Sequence, residues 1–393
     1  MSAATVSRGA RRFLLAGLGF LVVWQVAALG GAPRGVGVVL GLHGFVLHTV
    51  AGKAHSLVPS YFDRELAFPR SPSLTLPATA LGVAGMAAAE WVRLPELVEL
   101  LAATLWSLGF IAVLATLFWT VRGNLTGAET GTGEHNADRR AVDRVANAFV
   151  VVALAYLVAG AYVTLAVELG LPTPLVYSPA TSHLLAVGGA TLLLFAVEFR
   201  VLPRFLVAHP PRPLVGVVLP AAAIGPVLIA TGLPAGSRLR WGGVVEAVAV
   251  VGFALALAVT VFRSDRWRVG FPGVTSGAAL GVVGVGLGLA FAYAAATSGL
   301  VRAHLWVNLL GFLGLSIFGL TYQFYPPGVS TRRWVSDRTG LVAIGLVAVG
   351  LLLEVVGAVN GPQAVVTAGR VATLGGAWLH AAVIVSLFAE RYW

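Results

Sequence analysis

The chain has no cysteine, a single lysine (Lys53), two methionines and few charges of any kind, with only 11% of its 393 residues charged. Without thiols there is no disulfide, no cysteine-held iron–sulfur cluster, no thiolate haem ligand and no attached c-type haem. Any metal must then be held by histidine, carboxylate, methionine or carbonyl oxygen. So low a charge content, alongside 58% hydrophobic residues and a mean hydropathy of +0.88, excludes an ordinary soluble domain.

What the chain has instead is long apolar runs. They are too long and too little alternating for the strands of a membrane barrel, and each is long enough for a helix to cross a bilayer. The pattern predicts an all-α polytopic membrane helical bundle of about twelve spans, at 13–30, 36–58, 73–92, 97–121, 145–168, 177–199, 213–233, 242–262, 274–298, 303–325, 339–358 and 367–389. Arg8, Arg11 and Arg12 precede the first run, but no small-residue cleavage site follows it, so helix 1 is expected to be retained.

The formal charge of +10 resembles a nucleic-acid signal until the arginines are mapped. Nineteen lie before helix 1, in the loops after helices 2, 4, 6, 8 and 10, or at the C-terminus; six (Arg34, Arg93, Arg238, Arg240, Arg302, Arg370) lie on the other side. By the positive-inside rule this places both termini in the cytoplasm and the protein in the cell membrane. The basic balance reports topology and contact with the anionic lipid bilayer, with no nucleic-acid partner implied.

Three runs share one design: LHGFVLHTVAGKAHSLVP (42–59), SHLLAVGGATLLLFAVEFRVLP (182–203) and AHLWVNLLGFLGLSIFGLTYQFYP (303–326). Aligned on Pro59, Pro203 and Pro326, they bring Gly44, Gly188 and Gly311 into one column, and Gly52 and Gly319 into another. His183 and His304 fall within two residues of each other in that alignment. The runs are helices 2, 6 and 10, so the spans divide into three pseudo-repeated quartets, approximately 13–121, 145–262 and 274–389, in a single membrane domain. The polar, Gly/Thr-rich segment 122–144 reads as a cytoplasmic linker with a solvated His135.

Histidine in a bilayer is costly and is usually kept for a site. His43, His183 and His304 all lie in the outer part of the membrane by this topology; His43, eight residues past Gly35, is about 12 Å along its helix. Facing histidines on separate helices can hold a metal or haem between them.

At these residues the chain resembles subunit I of the haem–copper oxidases, the respiratory oxygen reductases and their nitric oxide reductase relatives. Helix 2 of that family carries a His-Gly pair, a terminal proline and an Asp…Ala-Phe-Pro-Arg loop; here stand His43-Gly44, Val58-Pro59, Asp63 and Ala67-Phe68-Pro69-Arg70. Its helix 10 carries a His-x-His pair, a glycine-lined stretch and an aromatic-proline end; here stand His304-Leu305-Trp306, Gly311, Gly319 and Tyr325-Pro326. A looser resemblance, through His43-Gly44-Phe45 and Val58-Pro59, is to the NnrS family of haem- and copper-containing membrane proteins. The first resemblance implies haem b held by His43 and His304, electron transfer or binding of a diatomic gas such as O2 or NO, and a redox partner or additional membrane subunits. If the chain is an enzyme, it implies an oxidoreductase of the oxidase or nitric oxide reductase type. Two departures bear on this. Trp306 replaces the second histidine of the helix 10 pair, and helix 7 has no histidine, so copper lacks a three-histidine site. The alternative is a non-redox transporter or assembly scaffold on the same fold.

Each histidine has a structural reading beside the ligand one. His43, His304 and His183 could each hydrogen-bond a neighbouring helix instead of a metal. The glycines near His304 could leave room for a flat macrocycle or form a close-packing seam. His380, midway along helix 12, is a second candidate partner for His43, and His48, on another face of helix 2, is a further candidate ligand. His55 is expected at the headgroups and His209 on the cytoplasmic side. Lys53 needs a partner, with Glu198 and Glu354 as candidates, and Trp24, Trp91, Trp119, Trp241 and Trp267 read as interface anchors.

Overall fold

The computed structural model describes residues 2–92, 94–294 and 297–392; Arg93, counted above, lies outside them. The described chain is all-helical, with twelve helices long and apolar enough to cross a membrane. They are α1 (Ala3–Leu29), α2 (Arg34–Tyr61), α3 (Ser71–Trp91), α4 (Glu96–Val121), α5 (Glu134–Leu169), α6 (Ser178–Leu206), α7 (Arg212–Gly232), α8 (Ser237–Phe262), α9 (Phe271–Tyr293), α10 (Ser298–Val329), α11 (Asp337–Ala358) and α12 (Gln363–Arg391). The protein is a polytopic membrane helical bundle.

Local sequence explains many of the boundaries. Proline stands at the first or second position of α3, α6, α7 and α9, where its missing N–H costs nothing and its fixed φ suits the helix. Thr297 and Ser336 accept from Leu300 N and Thr339 N to cap α10 and α11. Gly170, at φ 63°, closes α5 in the left-handed conformation that glycine adopts freely.

The quartets are arranged alike. In α2, α6 and α10, 78, 83 and 78% of the most apolar window is buried, against 28 to 56% in the other nine. Those nine form a ring in the order α1, α3, α4, α5, α7, α8, α9, α11, α12, with α12 packing back on α1, and α2, α6 and α10 meet one another inside it. Each quartet therefore gives its second helix to the centre. The inner helices also share a backbone feature, a π-helical stretch at Val39–Val46, Leu184–Thr191 and Val307–Gly314. Measured back from Pro59, Pro203 and Pro326, these stretches fall within one residue of the same register.

The glycine column is a packing seam. A Cβ at Gly44 would lie 2.7 Å from Phe20, at Gly188 2.4 Å from Tyr156 and at Gly311 3.0 Å from Leu280. In every quartet the inner helix thus sits tightly against the helix that precedes it, through the small-residue packing that drives association in lipid. The room expected for a macrocycle beside these glycines is filled by side chains.

Several boundaries move from the expected ones. The segment 122–144 is only partly a linker: a 3-10 turn at Glu134–Arg139 runs directly into the helix that begins at Arg140. The part before it is tied down, with Asn124 Nδ2 donating to Phe62 O (3.3 Å) and Glu129 O (2.8 Å) and with Thr132 buried. α6 continues past 199, so Arg200 and Arg204 are helical rather than in a loop. Arg200, 2% exposed, faces Asp143, 1% exposed, with Nε 3.7 Å from Oδ1. The Arg200 guanidinium also donates to Asn147 Oδ1 and to Tyr61 O (3.3 Å) and lies 4.1 Å from the Tyr61 ring centre. This network joins the ends of α2, α5 and α6 at the face that carries the termini. Buried charge survives there because each group has partners.

Candidate functional site

His183 and His304 are brought together. Their ring centres are 6.4 Å apart and their planes 23° apart, on the face of the bundle opposite the termini. Each ring is held from behind by a main-chain carbonyl: His183 Nδ1 is 2.7 Å from Pro179 O, one turn earlier in α6, and His304 Nδ1 is 3.0 Å from Gly284 O of α9. A carbonyl oxygen can only accept, so His183 Nδ1 carries the proton and its Nε2 keeps a lone pair; His304 Nδ1, which also lies 3.3 Å from Asn308 Nδ2, does the same in the tautomer that donates to Gly284 O. This is how metal-binding imidazoles are usually oriented. The neighbouring helix is shaped for the His304 ring: a Cβ at Gly288 would come 3.1 Å from its Cε1, and Phe291 meets it edge-on at 5.5 Å. Asn308 Nδ2 donates to His304 O at 2.8 Å, fixing the same turn.

His43 is not part of this pair. Its ring lies edge-on to Trp106 of α4 at 4.5 Å, and its buried Nδ1 has no hydrogen-bond partner. The expected match of His43 with His304 across α2 and α10 is therefore not the arrangement found. Trp306 takes part in that interval: it stacks on Trp24 of α1 at 4.6 Å and 24°, and a Cβ at Gly41 of α2 would lie 3.0 Å from the Trp24 ring. Trp24 is fully buried, not an interface anchor, whereas Trp91, Trp119, Trp241 and Trp267 are exposed near helix ends.

The remaining histidines divide by environment. His48 is buried against Phe13 and Phe20, its Nδ1 on His43 O at 2.9 Å and its Nε2 unpartnered. His380 is fully buried, stacked on Phe318 of α10 at 3.6 Å and 9°, and neither ring nitrogen has a partner. His55 is buried rather than at the headgroups, with Nδ1 on Ala51 O at 2.7 Å. His209 is exposed and pairs with Asp138 at 2.5 Å, and His135 is exposed.

Lys53 does not pair with Glu198 or Glu354. Its Nζ lies 4.1 Å above the Phe324 ring and 4.2 Å above that of Tyr325, a cation–π arrangement that shelters the charge without a carboxylate. It lines an apolar cavity of about 70 Å³ enclosed by α2, α6 and α10 on the axis of the bundle. Glu354 lies near Arg370 instead, at 4.0 Å, while both carboxylate oxygens of Glu198 and of Glu246 are buried without partners.

Haem and metal ions can be tested against these residues. Imidazole–metal bonds are about 2 Å long, so two rings bound in line on one ion have centres about 6 Å apart. The ring-centre spacing of 6.4 Å between His183 and His304 is compatible with two imidazoles on one ion. No group of three or more histidine or carboxylate residues able to hold a metal occurs among the described residues. Sequence reasoning aligned His183 with His304 through the repeats; what it missed is the anchoring by Pro179 O and Gly284 O, because main-chain carbonyls leave no mark in composition. It also missed the Arg200–Asp143–Asn147 network, whose two charged residues it placed in loops.

No family model and no curated protein matches the sequence.

Proposed function

We propose that this protein is a divergent relative of haem–copper oxidase subunit I in a cell membrane, with both termini in the cytoplasm, and that its imidazoles hold b-type haem for electron transfer or for binding a diatomic gas. The observation that carries the reading is the His183–His304 pair, with two Nδ1 atoms on carbonyls and ring centres at a spacing compatible with one ion. The quartet plan, the inner position of α2, α6 and α10 and the motifs around His43 and His304 add to it. When bound between these rings, the iron would supply one-electron chemistry. The chain's own part is to hold each ring in one tautomer and to keep the pair half-buried at the end of the bundle opposite the termini. Copper has weaker support, since one or two imidazoles are too few for a three-histidine centre.

The test is an absorption spectrum of the purified protein, oxidised and dithionite-reduced, repeated for His183→Ala, His304→Ala and His43→Ala. Sharp reduced α and Soret bands that are lost in the first two variants and kept in the third are the expected result. Bands that persist in both His183→Ala and His304→Ala would overturn the ligand assignment. A spectrum of protein absorbance alone would overturn the haem reading and leave the non-redox transporter or scaffold.

A further inference from the structure

On the face opposite the termini, two cavities of about 190 and 230 Å³ share Arg302, Trp306 and Arg370. Together they form one vestibule between α1 and α2 on one side and α10, α11 and α12 on the other. Three guanidinium groups line it, those of Arg34, Arg302 and Arg370, against one carboxylate, Glu354. Glu354 is already engaged: Arg370 Nε is 4.0 Å from its Oε2, and Thr373 Oγ1 donates to its Oε1 at 3.4 Å. The Glu90 carboxylate occupies the place that a side chain at Gly35 would take, next to Arg34 in sequence, but it is not in the lining.

A second observation points the same way. Trp24 and Trp306, stacked at 4.6 Å, give the vestibule an aromatic wall. The distribution of charge is the third. This face has only six arginines in the whole sequence, and three of them meet at this one cavity. Glu354 beside Arg370 and Glu90 beside Arg34 offset two of these charges, and the one left over favours an anion.

We propose that the vestibule is an anion-binding site that takes a carboxylate or phosphoryl group, held by the guanidinium forks of Arg302 and Arg370, with the apolar part of the ligand resting against Trp306. Guanidinium suits such groups because its donors match two oxygens at once. The apolar walls, Leu305, Leu351 and Val355 among them, favour a ligand with a hydrocarbon or aromatic body. The same chemistry is offered by a soluble organic acid and by a phospholipid headgroup.

The experiment uses the full chain in a neutral detergent, titrated with sodium benzoate and with inorganic phosphate by calorimetry and tryptophan fluorescence. In parallel, native mass spectrometry follows retention of phosphatidylglycerol against phosphatidylcholine. Saturable benzoate or phosphate binding, weakened at least about tenfold by Arg302→Gln and by Arg370→Gln and unchanged in Arg238→Gln, is the expected result and assigns a soluble ligand. Selective phosphatidylglycerol retention that is lost in the same two variants, without binding of the soluble anions, also supports the site and assigns the headgroup. Should the glutamine variants aggregate, Arg302→Lys and Arg370→Lys keep the charge without the fork; each is expected to weaken binding several-fold. The proposal is overturned by absence of both kinds of binding, or by binding that all of these variants leave unchanged.

Discussion

Two junctions of α10 differ sharply although they lie two residues apart. His304 turns toward α6 and α9 and meets another imidazole; Trp306 turns toward α1 and meets another indole. A step of two residues is about 200° around a helix, so one turn of α10 serves two separate compartments. Both pairs lie in near-parallel planes, but the imidazole centres stand 6.4 Å apart with each Nδ1 on a carbonyl, whereas the indoles stack at 4.6 Å. Trp306 does more than offer no ligand nitrogen: its ring, with Trp24, fills the interval between α1, α2 and α10.

The largest effect should come from emptying the first junction. The double variant His183→Ala/His304→Ala is expected to purify as a folded bundle with no haem band, and haem retention per chain, measured by pyridine haemochrome, would break the comparison if it stayed above half of wild type. Opening the second junction comes next. Trp24→Ala removes a fully buried ring from the stack and should cost about 3 to 5 kcal/mol of stability, read as a fall in thermal or detergent denaturation midpoint with the haem bands unchanged. A smaller change sharpens the role of the glycine seam. Gly188→Ala puts a Cβ where Tyr156 already stands and should cost about 1 to 3 kcal/mol, whereas Gly216→Ala, on α7 in open space, should cost nothing by the same assay. The smallest spectral effect belongs to Trp306→His. Because His43 faces Trp106 and Trp24 remains in place, the new imidazole should create no additional low-spin pair, and a low-spin signal in the electron paramagnetic resonance spectrum of this variant beyond that of wild type would show that α2 and α10 come closer than described.

A different pair of regions explains which of the sequence expectations hold. Membrane spans announce themselves, because lipid demands about twenty apolar residues with every backbone group bonded internally. That requirement is written residue by residue. The repeats on α2, α6 and α10 were legible for a related reason, since their glycines and prolines answer local needs: close approach to the preceding helix at Gly44, Gly188 and Gly311, and the last helical turn or the residues just past it at Pro59, Pro203 and Pro326. The polar face near the termini was less legible. Asp143 and Arg200 look like loop residues in sequence, and only their mutual contact lets helices extend over them.

By itself, then, the sequence determined an all-helical twelve-span bundle, its threefold internal repeat and the histidines available to it, because hydropathy, helix period and small-residue spacing act along the chain. The tertiary structure alone decided which histidines meet. His43 and His304 share a depth and a family-like motif, yet the direction of a side chain around its helix depends on where the neighbouring helices stand. Those positions, set by packing against α1, α4 and α9, turn His43 to Trp106, join Trp306 to Trp24 and leave His183 to face His304.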